Sequence, residues 1–320
     1  MKPLSRRNFI LKAALGAGAL GLSQFFSSCT PKPATEPEPS PPAADTPPID
    51  APDLVVARGK DPEELVRQAL AALGGMERFV AKDSHVIVKP NICHSYHSYE
   101  YAATTNPWVV GALVKLAFAA GARKVQVMDF PFGGTAEEAY VVSGIQDQVL
   151  AAGGEMVVMP RIAFRERAVI NGLDLESIIL YDGILEADTI INVPIAKTHS
   201  LARLTLGMKN LLGVVQNRSA YHANMGERLV DLTNMVKPAL TVLDAVRMLM
   251  ANGPTGGNLE DVYQADTLIA SADIVAADAY GATLFGMQPE DLSYVEAGAR
   301  SGLGRSDLAN LKIEEIAVGG

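Results

Sequence analysis

An α/β architecture, with a mostly parallel sheet and helices on both faces in Rossmann-like layers, is what this 320-residue sequence predicts. Three observations carry it. Short runs rich in Val and Ile recur, as in Val86-Ile87-Val88 and Thr189 to Val193. Segments of helical period lie between them. Polar residues collect just after the runs. Strands that are apolar on successive residues suit a sheet covered on both sides, which is the usual state of a parallel sheet.

Asp61-Pro62-Glu63-Glu64 starts an early helix with a capping-box-like pattern. Val86 to Val88 is the next strand. Asn106-Pro107 supplies an N-cap and a first-turn proline, and Val110, Leu113, Val114 and Ala117 follow at helical spacing until Gly121. Lys124 to Met128 reads as a strand. So do Met156 to Met159, Thr189 to Val193, Leu240 to Leu243 and Thr267 to Ala270. Ser200 is expected to cap a helix from Leu201 onward, with Leu204, Met208, Leu211, Leu212 and Val215 on its apolar stripe.

The chain divides into a signal segment (1–28), a tether (29–52) and a folded domain (53–320). Ser5-Arg6-Arg7-Asn8-Phe9-Ile10-Leu11-Lys12 has the form of a twin-arginine export signal, followed by an apolar, Gly/Ala-rich run from Ala13 to Phe26. That run is shorter than the ~20 apolar residues of a membrane span. The twin-arginine translocase carries folded proteins, so a periplasmic or cell-surface location is expected. Phe26-Ser27-Ser28-Cys29 resembles a lipoprotein cleavage site, which would attach Cys29 to a membrane through a lipid anchor. Simple cleavage near Ser28 is the alternative. From Pro31 to Pro52, Pro, Ala, Thr and acidic residues dominate. Such a stretch cannot build a core and reads as an extended tether.

The chain carries 27 basic and 36 acidic residues, and four of the basic ones precede Cys29. A domain this acidic repels nucleic acid, and nucleic-acid binding is discarded. With Cys29 assigned to the anchor, Cys93 stands alone, so no cysteine cluster is present for an iron–sulfur site.

Candidate functional residues sit at expected strand ends. Lys89 and Asn91 follow one strand, Asp129 ends the next, Asn192 ends a third and precedes Lys197 and His199, and Asp244 follows a fourth. Ligands of open parallel sheets bind beyond such ends. Lys197, His199 and Arg203 crowd the expected start of the Leu201 helix, where a bound anion would meet free amides. Pairing of Lys197 and Arg203 with surface carboxylates is the alternative. Lys209 falls off the apolar stripe. His222 either completes a site with His199 or sits on an exposed loop. Cys93, His94 and His97 suit a transition metal or form a polar loop. Asp278, among Ala and Val, is either a buried partner of Lys197 or Lys209, or a cap-like acceptor. The glycines of Gly253-Pro254-Thr255-Gly256-Gly257 could admit a ligand to the backbone, or serve a tight turn. No G-x-G-x-x-G lies at an expected strand-to-helix turn, and no G-x-S-x-G elbow or P-loop is present.

The segments VIVKPNI, TTNPWVV, AGARKVQVMD, ADTIINVPIAKTH, GMKNLLGVV, VLDAVRMLMANGPTGG and ASADIVAADAYGATLFG occur in this order, over roughly Val86 to Gly304. This set resembles the bacterial and archaeal family called domain of unknown function 362. The resemblance implies an α/β domain whose matching polar residues include Lys89, Asn91, Asp129, Asn192, Lys197, His199, Lys209, Asn210, Asp244 and Asp278. Many relatives add a ferredoxin-like segment. No such Cys motif follows here to bring a redox association, and the family has no settled reaction, so the resemblance brings a shape and a residue set.

Two function classes remain. One is an enzyme acting on a small anionic substrate, with a metal or redox cofactor conceivable. In it Lys197 and Lys209 clamp the anion, His199 is the acid or base, and Asp129 or Asp244 orients it. The other is a non-catalytic surface lipoprotein that binds an anionic solute or a partner protein.

Overall fold

The computed structural model describes residues 51–319. The signal, tether and lipidation readings, Cys29 included, lie outside the described residues. The strands are β1 (Leu54–Arg58), β2 (His85–Pro90), β3 (Lys124–Val127), β4 (Glu155–Met156), β5 (Phe164–Ala168), β6 (Ser177–Tyr181), β7 (Thr189–Val193), β8 (Ile195–His199), β9 (Arg203–Thr205), β10 (Leu240–Leu249), β11 (Val262–Ser271) and β12 (Ile313–Ala317). The α-helices are α1 (Pro62–Ala72), α2 (Pro107–Ala119), α3 (Ala136–Val142), α4 (Ile145–Ala151), α5 (Gly207–Asn210), α6 (Met225–Val236), α7 (Ile274–Thr283) and α8 (Ser293–Arg300).

The main sheet runs β12-β1-β11-β10-β7-β2-β3-β4, with β8 and β9 joined beside β10. Strands β10, β7, β2, β3 and β4 are mutually parallel, while β11 is antiparallel to both β10 and β1. The sheet is therefore mixed and mostly parallel, with helices around it. Strand residues alternate between two cores. Val86, Val88, Val125 and Val127 pack with Leu65, Leu70, Val109 and Leu113 of α1 and α2. Ile87, Ile190, Leu243 and Ile269 pack with Met208, Leu229, Val275 and Tyr294 of α5, α6, α7 and α8.

Local chemistry explains the helix starts. Asp61 accepts the Glu63 and Glu64 amides with Pro62 just inside the helix, and Asn106 accepts the Trp108 amide ahead of Pro107. Gly121, at φ 101°, lets the chain turn after α2 as expected. Strand β4 is shorter than the Met156 to Met159 expectation, and β10 and β11 are longer.

Strand order fixes where a site can form. From β2 the chain builds outward to β3 and β4, then returns to β7 and β10 on the other side of β2. The ends of β2 and β7 therefore flank a switch point, where loops leave in opposite directions and open a crevice.

The segment after β7 departs from the helix expected from Leu201. Residues 195–205 form a β8–β9 hairpin pairing Lys197 with Thr205 and His199 with Arg203. The turn is closed by the His199 ring, whose Nδ1 accepts the Leu201 and Ala202 amides at 3.1 and 3.3 Å. Arg203 sits at φ 62°, so the chain doubles back instead of winding up. Leu201 is exposed, and helical structure begins only at Gly207. The free amides expected at the Leu201 helix start are not there. Those of Gly207 and Met208, at the start of α5, are taken by the Asp278 carboxylate at 2.5 and 2.9 Å. Asp278 is thus the cap-like acceptor and not a lysine partner. Burial pushes its carboxyl up to about 7 against the opposing pull of those two amides.

Asp278→Asn places an NH2 group against one of two donor amides. It should lower stability by about 1–3 kcal/mol in urea unfolding. An unchanged midpoint would show that Asp278 does not hold α5.

Candidate functional site

A cavity of about 390 Å³ opens beyond the ends of β2, β3 and β7, walled by the β8–β9 hairpin, α5 and the segment 211–222. Its floor is a polar network with little slack. Lys89 Nζ, 1 % exposed, donates to Asp129 Oδ1 (2.7 Å), Asn210 Oδ1 (3.0 Å) and its neighbour's carbonyl, Pro90 O (2.8 Å). Asp129 Oδ2 accepts the Ile92 amide at 2.5 Å. Asn210 receives Asn91 Nδ2 at 2.9 Å and donates to Asn192 Oδ1 at 2.9 Å, and Asn192 donates to Gly207 O at 3.0 Å. Lys197 Nζ, also 1 % exposed, donates to Asn91 Oδ1 (3.0 Å), Ala103 O (2.7 Å) and Pro254 O (2.9 Å). Gly213 is required where it is. An added Cβ would lie inside the Asp129 carboxylate and against Lys89 Nζ.

The geometry revises several expected roles. All three ammonium hydrogens of Lys197 are used by neutral acceptors, so it offers charge to the cavity but no direct clamp. Asp129 holds Lys89 and the Ile92 amide and is not a free base. Lys89 and Asn192 brace the floor from behind, while Asn91, Asp129, Lys197, His199, Lys209, Asn210 and His222 line the cavity. Asp244 is elsewhere. Its buried carboxylate accepts the Asn106 amide at 2.7 Å and the Val246 amide at 3.0 Å, tying the start of α2 to β10. Arg203 faces outward and pairs with Asp291 at 2.9 Å.

His94 is also satisfied. Its Nε2 lies 2.9 Å from Thr255 O, and its Nδ1 accepts the Tyr96 amide. Both ring nitrogens are used, against the metal reading of Cys93, His94 and His97. Among the described residues no group of three His, Cys, Asp or Glu side chains is placed to hold a metal.

Arg218 is the site residue that sequence reasoning missed. It lies beyond the helical stripe, in a 3₁₀ turn over Arg218–His222, and no spacing marks it. Its guanidinium lies 5.0 Å from the Phe130 ring centre and donates through Nη2 to the Phe130 carbonyl. Its Nε has no partner. Four buried side-chain polar atoms lack partners among the described residues, and three belong to cavity residues: Thr205 Oγ1, Arg218 Nε and His222 Nε2. Covered polar atoms without partners are uncommon, and three beside one cavity call for a ligand or water to satisfy them.

The electrostatics are lopsided. Lys89, Lys197, Lys209 and Arg218 carry positive charge at the cavity or directly behind it, and Asp129 is the single carboxylate among the described lining residues. Burial, then the neighbouring Lys197 and Arg218, pulls Lys209 down to about 8. Burial and Lys209 push His199 down to about 3, so that ring is neutral. His222 is lowered by burial and by Lys209. Its Nδ1 lies 3.3 Å from Ser219 O, an arrangement that leaves the Nε2 lone pair facing the interior.

The cost of holding Lys209 is testable. Its folded pKa lies below the unfolded value of about 10.4, so the cost is full while both states are protonated, below about 8. It fades between about 8 and 10. Lys209→Met should therefore be more stable than the parent at pH 7, by on the order of 1–3 kcal/mol in chemical denaturation, with the gain vanishing above about pH 10. A variant less stable at pH 7 would contradict this account of Lys209.

The family model described as Domain of unknown function (DUF362) matches residues 86–283, and the chain belongs to this family. The span covers the floor network, both hairpin strands, α5 and Arg218. A thylakoid-associated protein from Synechocystis is 28 % identical over 248 residues, 74 % of each chain. The lactate racemase apoprotein from Thermoanaerobacterium thermosaccharolyticum aligns over 73 % of this chain with a TM-score of 0.45 and 14 % identity. A protein from Thermotoga maritima aligns over 58 % with a TM-score of 0.33, also at 14 % identity. This chain spans 56 % and 51 % of the lengths of those two structures.

Proposed function

We propose that this member of the domain of unknown function 362 family is an enzyme that binds a small anion in the β2–β7 cavity and carries out acid–base chemistry on it. The observation that carries the reading is the charge balance of the wall. Three cationic side chains, Lys197, Lys209 and Arg218, share the lining with one carboxylate, and that carboxylate is already committed to Lys89 behind the floor. A buried excess of positive charge is costly without a counter-ion, and a bound anion supplies one. Arg218 is the direct anchor, because its Nε is unpartnered. Lys197 adds long-range attraction.

The chemistry falls to three groups. Lys209 has its pKa pulled close to neutrality, where a side chain can both give and take a proton. His222 presents a lone pair at Nε2. His199 is neutral, and its Nε2 lies 3.2 Å from Lys209 Nζ. A pure binding protein needs only the anchor. Acid–base groups beside it, one of them unpartnered, favour an enzyme over the alternative of solute capture.

The protein is further proposed to be exported by the twin-arginine route and held at a membrane through Cys29. The arginine pair and the small residues before Cys29 support this. Among the described residues no helix is long and apolar enough to cross a membrane.

Small carboxylates and phosphate should raise the thermal midpoint of the protein, more so at low ionic strength. Arg218→Gln should weaken the strongest of these at least about tenfold in calorimetry, in keeping with ~1.5–3 kcal/mol for a charged hydrogen bond. Equal affinity in the variant, or no anion effect at all, would remove the anchor and with it this reading.

A further inference from the structure

The tautomer of His199 constrains Lys209. Nδ1 of the imidazole accepts two backbone amides, from Leu201 and Ala202, and cannot carry a proton while it does so. The proton of the neutral ring must then be on Nε2. That nitrogen lies 3.2 Å from Lys209 Nζ. An ammonium there would set donor against donor. A neutral amine would accept the Nε2–H. The hairpin backbone therefore favours proton loss from a lysine that is 7 % exposed and lines the cavity, so that its neutral form is within reach near pH 7 although the ammonium still predominates there.

From this geometry we propose that Lys209 is a carbonyl-reactive amine, and that the substrate is a small carboxylate bearing a ketone or aldehyde, which it binds as a Schiff base. The inference rests on the anion-binding reading above. The carboxylate of the ligand pairs with Arg218, and its carbonyl reaches the Lys209 end of the cavity. There it takes over the His199 Nε2–H, which releases the amine lone pair and polarises the C=O bond. The lone pair forms the N–C bond, and the π pair of the carbonyl moves to oxygen. Both amine protons are transferred to that oxygen, which leaves as water, and a C=N bond remains. No oxidant or reductant is consumed. His222 Nε2, unpartnered, is the group placed to relay those protons or to take one from the carbon next to the imine.

Burial supports the assignment. A lysine lowered to about 8 is neutral roughly 100-fold more often at pH 7 than an exposed one. The other two buried lysines of the site are excluded by their bonding, since each has three acceptors on its ammonium.

The test is reductive trapping. The full chain is incubated at pH 7 with pyruvate or glyoxylate and cyanoborohydride, then read by intact mass and peptide mapping. The expected result is a single adduct on Lys209, formed roughly 100-fold faster than on exposed lysines. It should be absent from Lys209→Met and suppressed by a competing carboxylate without a ketone or aldehyde group, such as oxalate. Adducts spread over surface lysines at the background rate would overturn the proposal. So would no adduct with either ketoacid while oxalate still raises the thermal midpoint, an outcome that leaves the anion site standing. No adduct and no anion effect would overturn both.

Discussion

Positive charge held below the surface without enough negative charge to answer it is the constraint on which this site depends. Lys89 is matched by Asp129. Among the described residues, Lys197 has only amide and carbonyl oxygens around its ammonium, and Lys209 has only an imidazole. A fold evolved for stability alone would remove such groups, because replacing buried charges with apolar side chains is often neutral or favourable. Their presence in one cavity, together with three unpartnered polar atoms, gives the wall a purpose that packing does not supply.

The floor network explains how these groups stay in place. Lys89 at the end of β2, Asp129 just after β3, Asn192 in β7 and Asn210 in α5 are joined by hydrogen bonds of 2.7 to 3.0 Å. Each element contributes one polar side chain, so four separate segments are registered against each other. Asn91 then carries the network to Lys197 on β8. A second, independent anchor, Asp278 in α7, fixes the start of α5 and thereby the direction in which Lys209 projects.

Much of this was legible in the sequence, for identifiable reasons. Apolar runs such as Val86 to Val88 are buried on both faces and so have no polar alternation to confuse them. Strand-end polar residues marked Lys89, Asn91, Asp129 and Asn192 because ligands of parallel sheets lie beyond the carboxyl ends of strands, a rule that needs only where each strand stops. The segment after Lys197 was misread. Its leucines repeat at helical spacing, yet the His199 ring captures two amides and Arg203 turns left-handed, so a hairpin wins over a helix. That local hydrogen bond outweighs a periodicity that several packing solutions could satisfy. Arg218 was invisible because its role arises from a ring, Phe130, 88 positions away in the chain. Asp244 was assigned to the site by its position near a strand end, but a carboxylate with two backbone amides within 3.0 Å has no need of a ligand.

The direct test of the account is the ionisation of Lys209 in the empty protein. NMR of lysine side chains labelled at Cε follows each amine through its titration, and Lys209→Met identifies the signal. The account predicts two resonances that titrate near 8, from Lys89 and Lys209, one of which vanishes in the variant. A Lys209 signal titrating near 10.4, like a solvated lysine, would mean that the cavity holds no uncompensated charge, and the functional reading would fall with it.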